Sequence, residues 1–177
     1  LLRHGHDVIA ADDTITPERL ATATELGVEL IDSSVRSVDE LLDGCSMLCP
    51  APGVPETHPI IEAALARGIE IVSEIELAYR WEQQRPGGPR RMLAVTATDG
   101  KTTTSKLAVH LLEAAGVRSI DAGNTDTPLV DALDAVDEVG NERYDAFVVE
   151  CSSFRLAWTP TFRADAAAWL NLQPDHL

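Results

Sequence analysis

The chain has 177 residues, 29 acidic against 14 basic, a formal charge of −15 and 45% hydrophobic residues, with mean hydropathy −0.04 and a pI near 4.5. That supply of apolar residues supports a folded core and excludes a disordered or fibrous chain. The acidic balance, with no basic run longer than Arg90–Arg91, argues against nucleic acid and anionic membrane as partners, and no apolar run reaches the ~20 residues of a membrane span. Cys45, Cys49 and Cys151 are too few, and odd in number, for a disulfide framework, so a cytoplasmic setting is expected. No Cys/His set at zinc spacing accompanies them, and no export signal opens the sequence.

In chain order, LLRHGHDVIAADD reads as the last turn of a helix capped by Gly5, then a strand over Asp7–Ala11. A helix follows over Pro17–Leu26: Thr16 is a cap, Pro17 a first-turn proline, Glu18 a first-turn acid, and Gly27 closes it. A strand Val28–Ile31, a short helix Val38–Leu42, a strand Met47–Cys49, a helix His58–Arg67 and a strand Ile69–Val72 continue the alternation. Proline, glycine and charge collect in WEQQRPGGPRR, residues 81–91, which suits neither a strand nor a helix interior, and a domain boundary is placed at 88/89. The pattern then restarts with a strand Met92–Thr96, a helix Thr102–Ala115, a strand Ser119–Ala122, a helix Val130–Val136 and strands Asp145–Glu150 and Ala166–Leu172. This is the grammar of an α/β fold with parallel sheets in two units. Leu1 falls within an element, and polar residues stop directly after the last strand, so the polypeptide reads as a piece of a longer protein.

Chemistry gathers where strands end. In MLAVTATDGKTTT, residues 92–104, an apolar strand runs into a short loop and Gly100-Lys101-Thr102 opens a helix. Backbone N–H groups at such a helix start face an anion, Lys101 supplies charge and Thr102 a hydroxyl for Mg²⁺. The match to GxxxxGK[ST] is incomplete, because Val95 stands five before Gly100. The alternative, that Lys101 is merely a solvated first-turn residue, is disfavoured by the order strand, loop, Gly-Lys-Thr and helix. In YDAFVVECSSFRL, residues 144–156, a strand delivers Glu150 at its carboxyl end, where open parallel sheets bind ligands and where a hard cation finds oxygen. Alone, Glu150 reads as a surface carboxylate. In AAAWLNLQPDHL, residues 166–177, a third strand end presents Asn171, Asp175 and His176. His4, His6, His58 and His110 show no clustering, and Trp81, Trp158 and Trp169 read as packing residues.

These stretches together resemble the Mur ligases of peptidoglycan synthesis, and within them the D-glutamate-adding branch. The likeness is carried by TATDGKTTT at 96–104, AGNTDTPL at 122–129, ECSSFRL at 150–156 and LNLQPDHL at 170–177, with CPAPGV at 49–54 and SEIELAYR at 73–80 in the first unit. It covers nearly the whole chain. It implies a Rossmann-like domain over 1–88 that binds the uridine nucleotide and a phosphate-loop ATPase domain over 89–177, each incomplete. It further implies that Gly100, Lys101, Thr102 and Thr103 hold ATP, that Thr102, Glu150 and His176 hold Mg²⁺, and that Lys101, Asn124 and His176 serve catalysis. Asn124, Ser152 and Arg155 would face the muramoyl-alanine part of the substrate, and Asp12, Asp13 and Gly53 its uridine diphosphate.

Such ligases use ATP to activate the carboxylate of UDP-N-acetylmuramoyl-L-alanine as an acyl phosphate, which the amine of D-glutamate then opens. The likeness implies a monomer. The amino-acid-binding domain and a carbamylated lysine would lie downstream, so the piece alone is expected to be inactive. Departures from the family pattern are Ala97 and Asp99 in the phosphate loop, Thr125 and Asp126, Arg155, and Ala51 before Pro52-Gly53. A Cβ at 97 costs about 1–2 kcal/mol if that position needs φ > 0, and Asp99 sets a carboxylate near a polyanion. Other Mur-type or folylpolyglutamate-type ligases, and a nucleotide-binding module without ligase chemistry, are the alternatives.

Overall fold

The computed structural model describes residues 1–174. By compactness the chain divides into two units, the first 1–46 with 56–70 and the second 47–55 with 71–177.

In the first unit, a 3₁₀ turn Leu2–His4 is closed by Gly5 at φ 78°. Strand β1 (Ile9–Asp12) pairs in parallel with β2 (Glu29–Asp32), Ile9 opposite Glu29. Between them runs α1 (Pro17–Leu26), which starts where expected because the Thr16 hydroxyl accepts from the Arg19 N–H at 3.2 Å. Helix α2 (Val38–Leu41) begins with a capping box in which Ser37 and Glu40 satisfy each other's backbone N–H groups. The His58 ring accepts from the Ile60 N–H to start α3 (Pro59–Ala66), and an Arg67–Asp39 ion pair ties the end of α3 to α2. Leu41, Leu42, Ile61 and Ala64 are buried here.

The second unit opens with the two-residue strand β3 (Met47–Leu48), and the two-residue strand β4 (Glu70–Ile71) falls where the chain passes into it again. Helix α4 (Glu74–Gln83) is followed by β5 (Arg91–Thr96), α5 (Lys101–Ala114), β6 (Ser119–Gly123), α6 (Leu129–Leu133), β7 (Ala146–Cys151), α7 (Ser153–Leu156) and β8 (Ala166–Trp169). The four long strands form one sheet in the order β6-β7-β5-β8, every pair parallel. All six residues of β7 are buried, as expected of a central strand covered on both faces. Phe147 lies wholly in the core with Ile75, Ala78, Met92, Leu129 and Leu133; burying one such ring is worth about 2–3 kcal/mol.

Helix α4 places the segment Trp81–Arg91 inside the second unit and not at its border. Ile75 and Ala78 enter the core three residues apart, and the Ser73 hydroxyl accepts from the Glu76 N–H at 3.3 Å to start the helix. At the helix end, Glu82 receives Arg90 through its backbone N–H at 2.7 Å, Nε at 2.9 Å and Nη2 at 2.8 Å. The same guanidinium donates to Leu133 O at 3.1 Å and lies 4.7 Å over the Phe147 ring. With 8% and 2% of these side chains exposed, the pair is a staple, and its partnered geometry is what makes a buried charge tolerable. The proline-glycine tract is therefore a tether closed at both ends. Helix α4 and the four-residue helix α7 are not anticipated from the sequence, where the neighbouring loop composition dominates. Among the described residues, no helix is long and apolar enough to cross a membrane.

Candidate phosphate and cation site

A parallel sheet brings all its carboxyl ends to one edge, and the second unit uses that edge. The loop after β5 runs through Ala97, Thr98 and Asp99 to Gly100, whose φ of 86° makes the left-handed turn into α5. A helix N-terminus there presents unpaired backbone N–H groups with the positive end of the dipole. The Lys101 ammonium is folded back over the loop, donating to Ala97 O at 2.8 Å and Thr98 O at 2.9 Å.

One residue later, the Thr102 hydroxyl donates to Glu150 Oε2 at 2.8 Å. Glu150 is the penultimate residue of β7, in register between Val95 and Gly123, and only 2% exposed. Its other oxygen, Oε1, accepts from Asn124 Nδ2 at 3.1 Å, while its backbone carbonyl accepts from the Asn124 N–H at 2.8 Å. The loop after β6 can approach this closely because Gly123 has no side chain. A Cβ there would stand 2.7 Å from Glu150 O, and φ is 96°. Thus Thr102 at the start of α5, Glu150 at the end of β7 and Asn124 in the loop after β6 meet, with Lys101 one residue before Thr102.

The fourth strand end holds the loop itself, which sequence reasoning missed. Asn171 pairs both ways with the backbone of Asp99, its Nδ2 donating to Asp99 O at 2.9 Å and its Oδ1 accepting from the Asp99 N–H at 3.1 Å. Thr98 makes a similar exchange with Gln173, Oγ1 to Gln173 O at 3.2 Å and Gln173 N–H to Oγ1 at 2.9 Å. Leu170 N–H still bonds to Thr96 O, so the chain leaves β8 by zipping along the phosphate loop. An asparagine two residues past a strand carries no sequence signal of such pairing.

Of the other expected site residues, Thr103 is exposed on the first turn of α5. Ser152 caps α7, its hydroxyl accepting from the Arg155 N–H at 3.3 Å. Arg155 donates through Nη1 to Glu74 Oε2, and its buried Nε has no hydrogen-bond partner. Burial pushes the Glu74 carboxyl above the ordinary range, although the Val130 N–H and the Arg155 guanidinium pull it down. Burial likewise pushes the Cys151 thiol up to about 12, which suits a packing residue and not a nucleophile.

Asp12 and Asp13 belong to the first unit, at the end of β1. Asp12 accepts from the Thr14 N–H at 3.0 Å and Arg19 Nη1 at 2.6 Å, and Asp13 accepts from the Thr14 hydroxyl at 3.1 Å. Gly53 belongs to the second unit, in an exposed turn with φ 92°. His176 and Asp175 lie outside the described residues. Among the described residues, no three His, Cys, Asp or Glu side chains converge as a metal trio. Two oxygens, Thr102 Oγ1 and Glu150 Oε2, nevertheless stand together, a donor set that suits a hard divalent ion.

Comparison with known proteins accords with this arrangement. Residues 95–177 match the Mur ligase middle domain. The chain is 40% identical over 182 residues to a UDP-N-acetylmuramoylalanine--D-glutamate ligase of Thermobifida fusca, covering all of this chain and 37% of that protein. It is 41% identical over 139 residues to the enzyme of the same name from Streptomyces coelicolor, covering 78% of this chain and 28% of that one. It therefore spans little more than a third of the length of such relatives. Among solved structures, a UDP-N-acetylmuramate:L-alanyl-gamma-D-glutamyl-meso-diaminopimelate ligase from Neisseria meningitides shares the fold. The TM-score is 0.58 at 18% identity, over 98% of this chain and 55% of that one. A murein peptide ligase from Psychrobacter arcticus aligns at TM-score 0.54 and 21% identity, over 98% and 39%.

Proposed function

The chain belongs to the Mur ligase family, and from that premise we propose that it is the part of a ligase joining D-glutamate to UDP-N-acetylmuramoyl-L-alanine that holds the uridine nucleotide and, in its second half, ATP. One observation carries the reading: Thr102, at the start of a lysine-bearing helix, shares a hydrogen bond with the buried Glu150 at the carboxyl edge of a parallel sheet.

In this reading, the N–H groups of Gly100 to Thr103 and the Lys101 ammonium bind the β- and γ-phosphates. Lys101 leaves its two loop carbonyls to do so, exchanging neutral acceptors for anionic ones, a stronger bond. Thr102 Oγ1 and Glu150 Oε2 would hold Mg²⁺, and the family likeness adds His176 as a further ligand. The ion would supply charge neutralisation on the transferring phosphoryl group. The γ-phosphoryl passes to a carboxylate oxygen of the alanyl end, and the amine of D-glutamate then attacks the acyl carbon, expelling phosphate. Asn124 and Ser152, on loops flanking Glu150, would orient that carboxylate, so the residues of this chain contribute positioning and electrostatics. Asp12, Asp13 and Gly53 would meet the uridine diphosphate. The three free cysteines fit a reducing, cytoplasmic setting, and the family likeness implies a monomer.

The test is D-glutamate-dependent phosphate release by the full-length protein carrying Lys101→Ala. Loss of one preorganised cation on the transferring group should lower turnover by about a hundredfold or more. Unchanged turnover defeats the phosphate-loop assignment. Nucleotide binding without amino-acid-dependent ADP release in the unmutated protein would establish the non-catalytic alternative.

A further inference from the structure

Arg155 and Glu74 form an ion pair that no step above uses, with 12% and 17% of their side chains exposed. Glu74 Oε2 takes Arg155 Nη1, and Oε1 accepts the Val130 N–H at 2.7 Å, near the start of α6. Arg155 lies in α7, directly after the strand that carries Glu150. Val130 lies directly after the loop that carries Asn124.

That loop is short and internally braced. The Gly123 N–H donates to Thr127 O at 2.9 Å, and Thr125 exchanges bonds with the Thr127 backbone at 3.2 Å each way. One end is fixed on Glu150 through both the backbone and the amide of Asn124. The other end continues into Leu129, which is fully buried, and Val130, which is held by Glu74. The contacts therefore close a ring: Glu150 to Asn124, along the loop to Val130, across to Glu74 and Arg155, and back through α7 to β7.

We infer that the Arg155–Glu74 pair is a positioning device that holds the Asn124 amide on Glu150, and so sets the place of both groups facing the reacting phosphoryl and carboxylate. This rests on the reading of Asn124 and Glu150 as parts of the site. Arg155 then touches neither substrate nor nucleotide: its role is exerted through Glu74 and the turn of α6. A shell that orients a metal-facing ligand is commonly worth 10–100-fold in affinity or activity.

The experiment uses the full-length ligase with Glu74→Gln, Asn124→Ala and the double variant. Glu74→Gln keeps an acceptor for Val130 and removes the charge that holds Arg155. It should lower kcat/KM for the muramoyl substrate by about tenfold or more, while Mg²⁺-free ADP affinity stays within about twofold, because Lys101 and the helix start touch neither residue. In the Asn124→Ala background the same change should cost less than about twofold, since the group it positions is gone. A merely structural role predicts equal losses in both backgrounds, and that additivity would overturn the inference. If Asn124→Ala itself changes nothing, the site reading fails instead. Arg155→Lys, which keeps a cation but not the fixed fork, gives the same comparison should Glu74→Gln not fold.

Discussion

Gly123→Ala is the sharpest perturbation the second unit offers. Two costs add at this position. A Cβ at φ 96° meets the left-handed penalty of about 1–2 kcal/mol. The same atom would stand 2.7 Å from Glu150 O and 3.3 Å from Val149 Cγ1. The nearer contact is backbone, so it is relieved only by moving β6 away from β7, and such overpacking costs typically 1–3 kcal/mol. Gly140 carries the first cost alone, since its φ is 87° and nothing lies within 4 Å of its Cβ position, so the difference between the two variants isolates the second. Gly123→Ala should therefore destabilise by about 1–3 kcal/mol more than Gly140→Ala. Urea unfolding of the chain followed by the fluorescence of Trp81, Trp158 and Trp169, all in the second unit, reads the difference as a shift in midpoint at constant slope. Two variants within about 0.5 kcal/mol of each other would refute the claim that close approach, and not backbone conformation alone, demands glycine beside Glu150.

Asn171→Ala removes both bonds that hold Asp99. At about 0.5–1.5 kcal/mol each, ADP affinity of the full-length protein should fall by as much as about 5- to 150-fold, and unaltered affinity in a calorimetric titration would count against the clamp. Acid should unfold the second unit in a way that Asp165 helps set. The Met92 N–H and the Arg91 guanidinium hold its carboxyl below the ordinary range. The stability it brings is present in full above the unfolded value, near 3.9, and is lost as pH falls through the folded one. Asp165→Asn should flatten the fall of the urea midpoint between about pH 5 and pH 3, and an unchanged slope would show that other carboxylates carry it.

Legibility followed the range of the forces. Helix α1 was readable to the residue, because Thr16, Pro17, Glu18 and Gly27 act within a single turn of the ends they define. The meeting of Thr102 with Glu150 was readable across 48 residues, since parallel pairing obliges strand ends to share an edge. The Asn171–Asp99 and Arg155–Glu74 pairs, 72 and 81 residues apart, depend on side-chain direction that no periodicity encodes. Arg155 reads as a substrate contact because its segment does, and the Nη1 bond to Glu74 carries no signal in the sequence. The Glu82–Arg90 staple was hidden for a further reason, since a proline-glycine tract looks the same whether it links two bodies or closes a loop on one.

The order β6-β7-β5-β8 has a cost during synthesis. Strand β5 waits 55 residues for its partner β7 and some 73 for the stretch that opens β8. At 5–20 residues per second its apolar flank stands uncovered for several seconds as the ribosome proceeds. Distant pairing of this kind slows folding after release as well. The residues of the phosphate loop are therefore made well before Asn171 and Gln173, the groups that hold the loop in place.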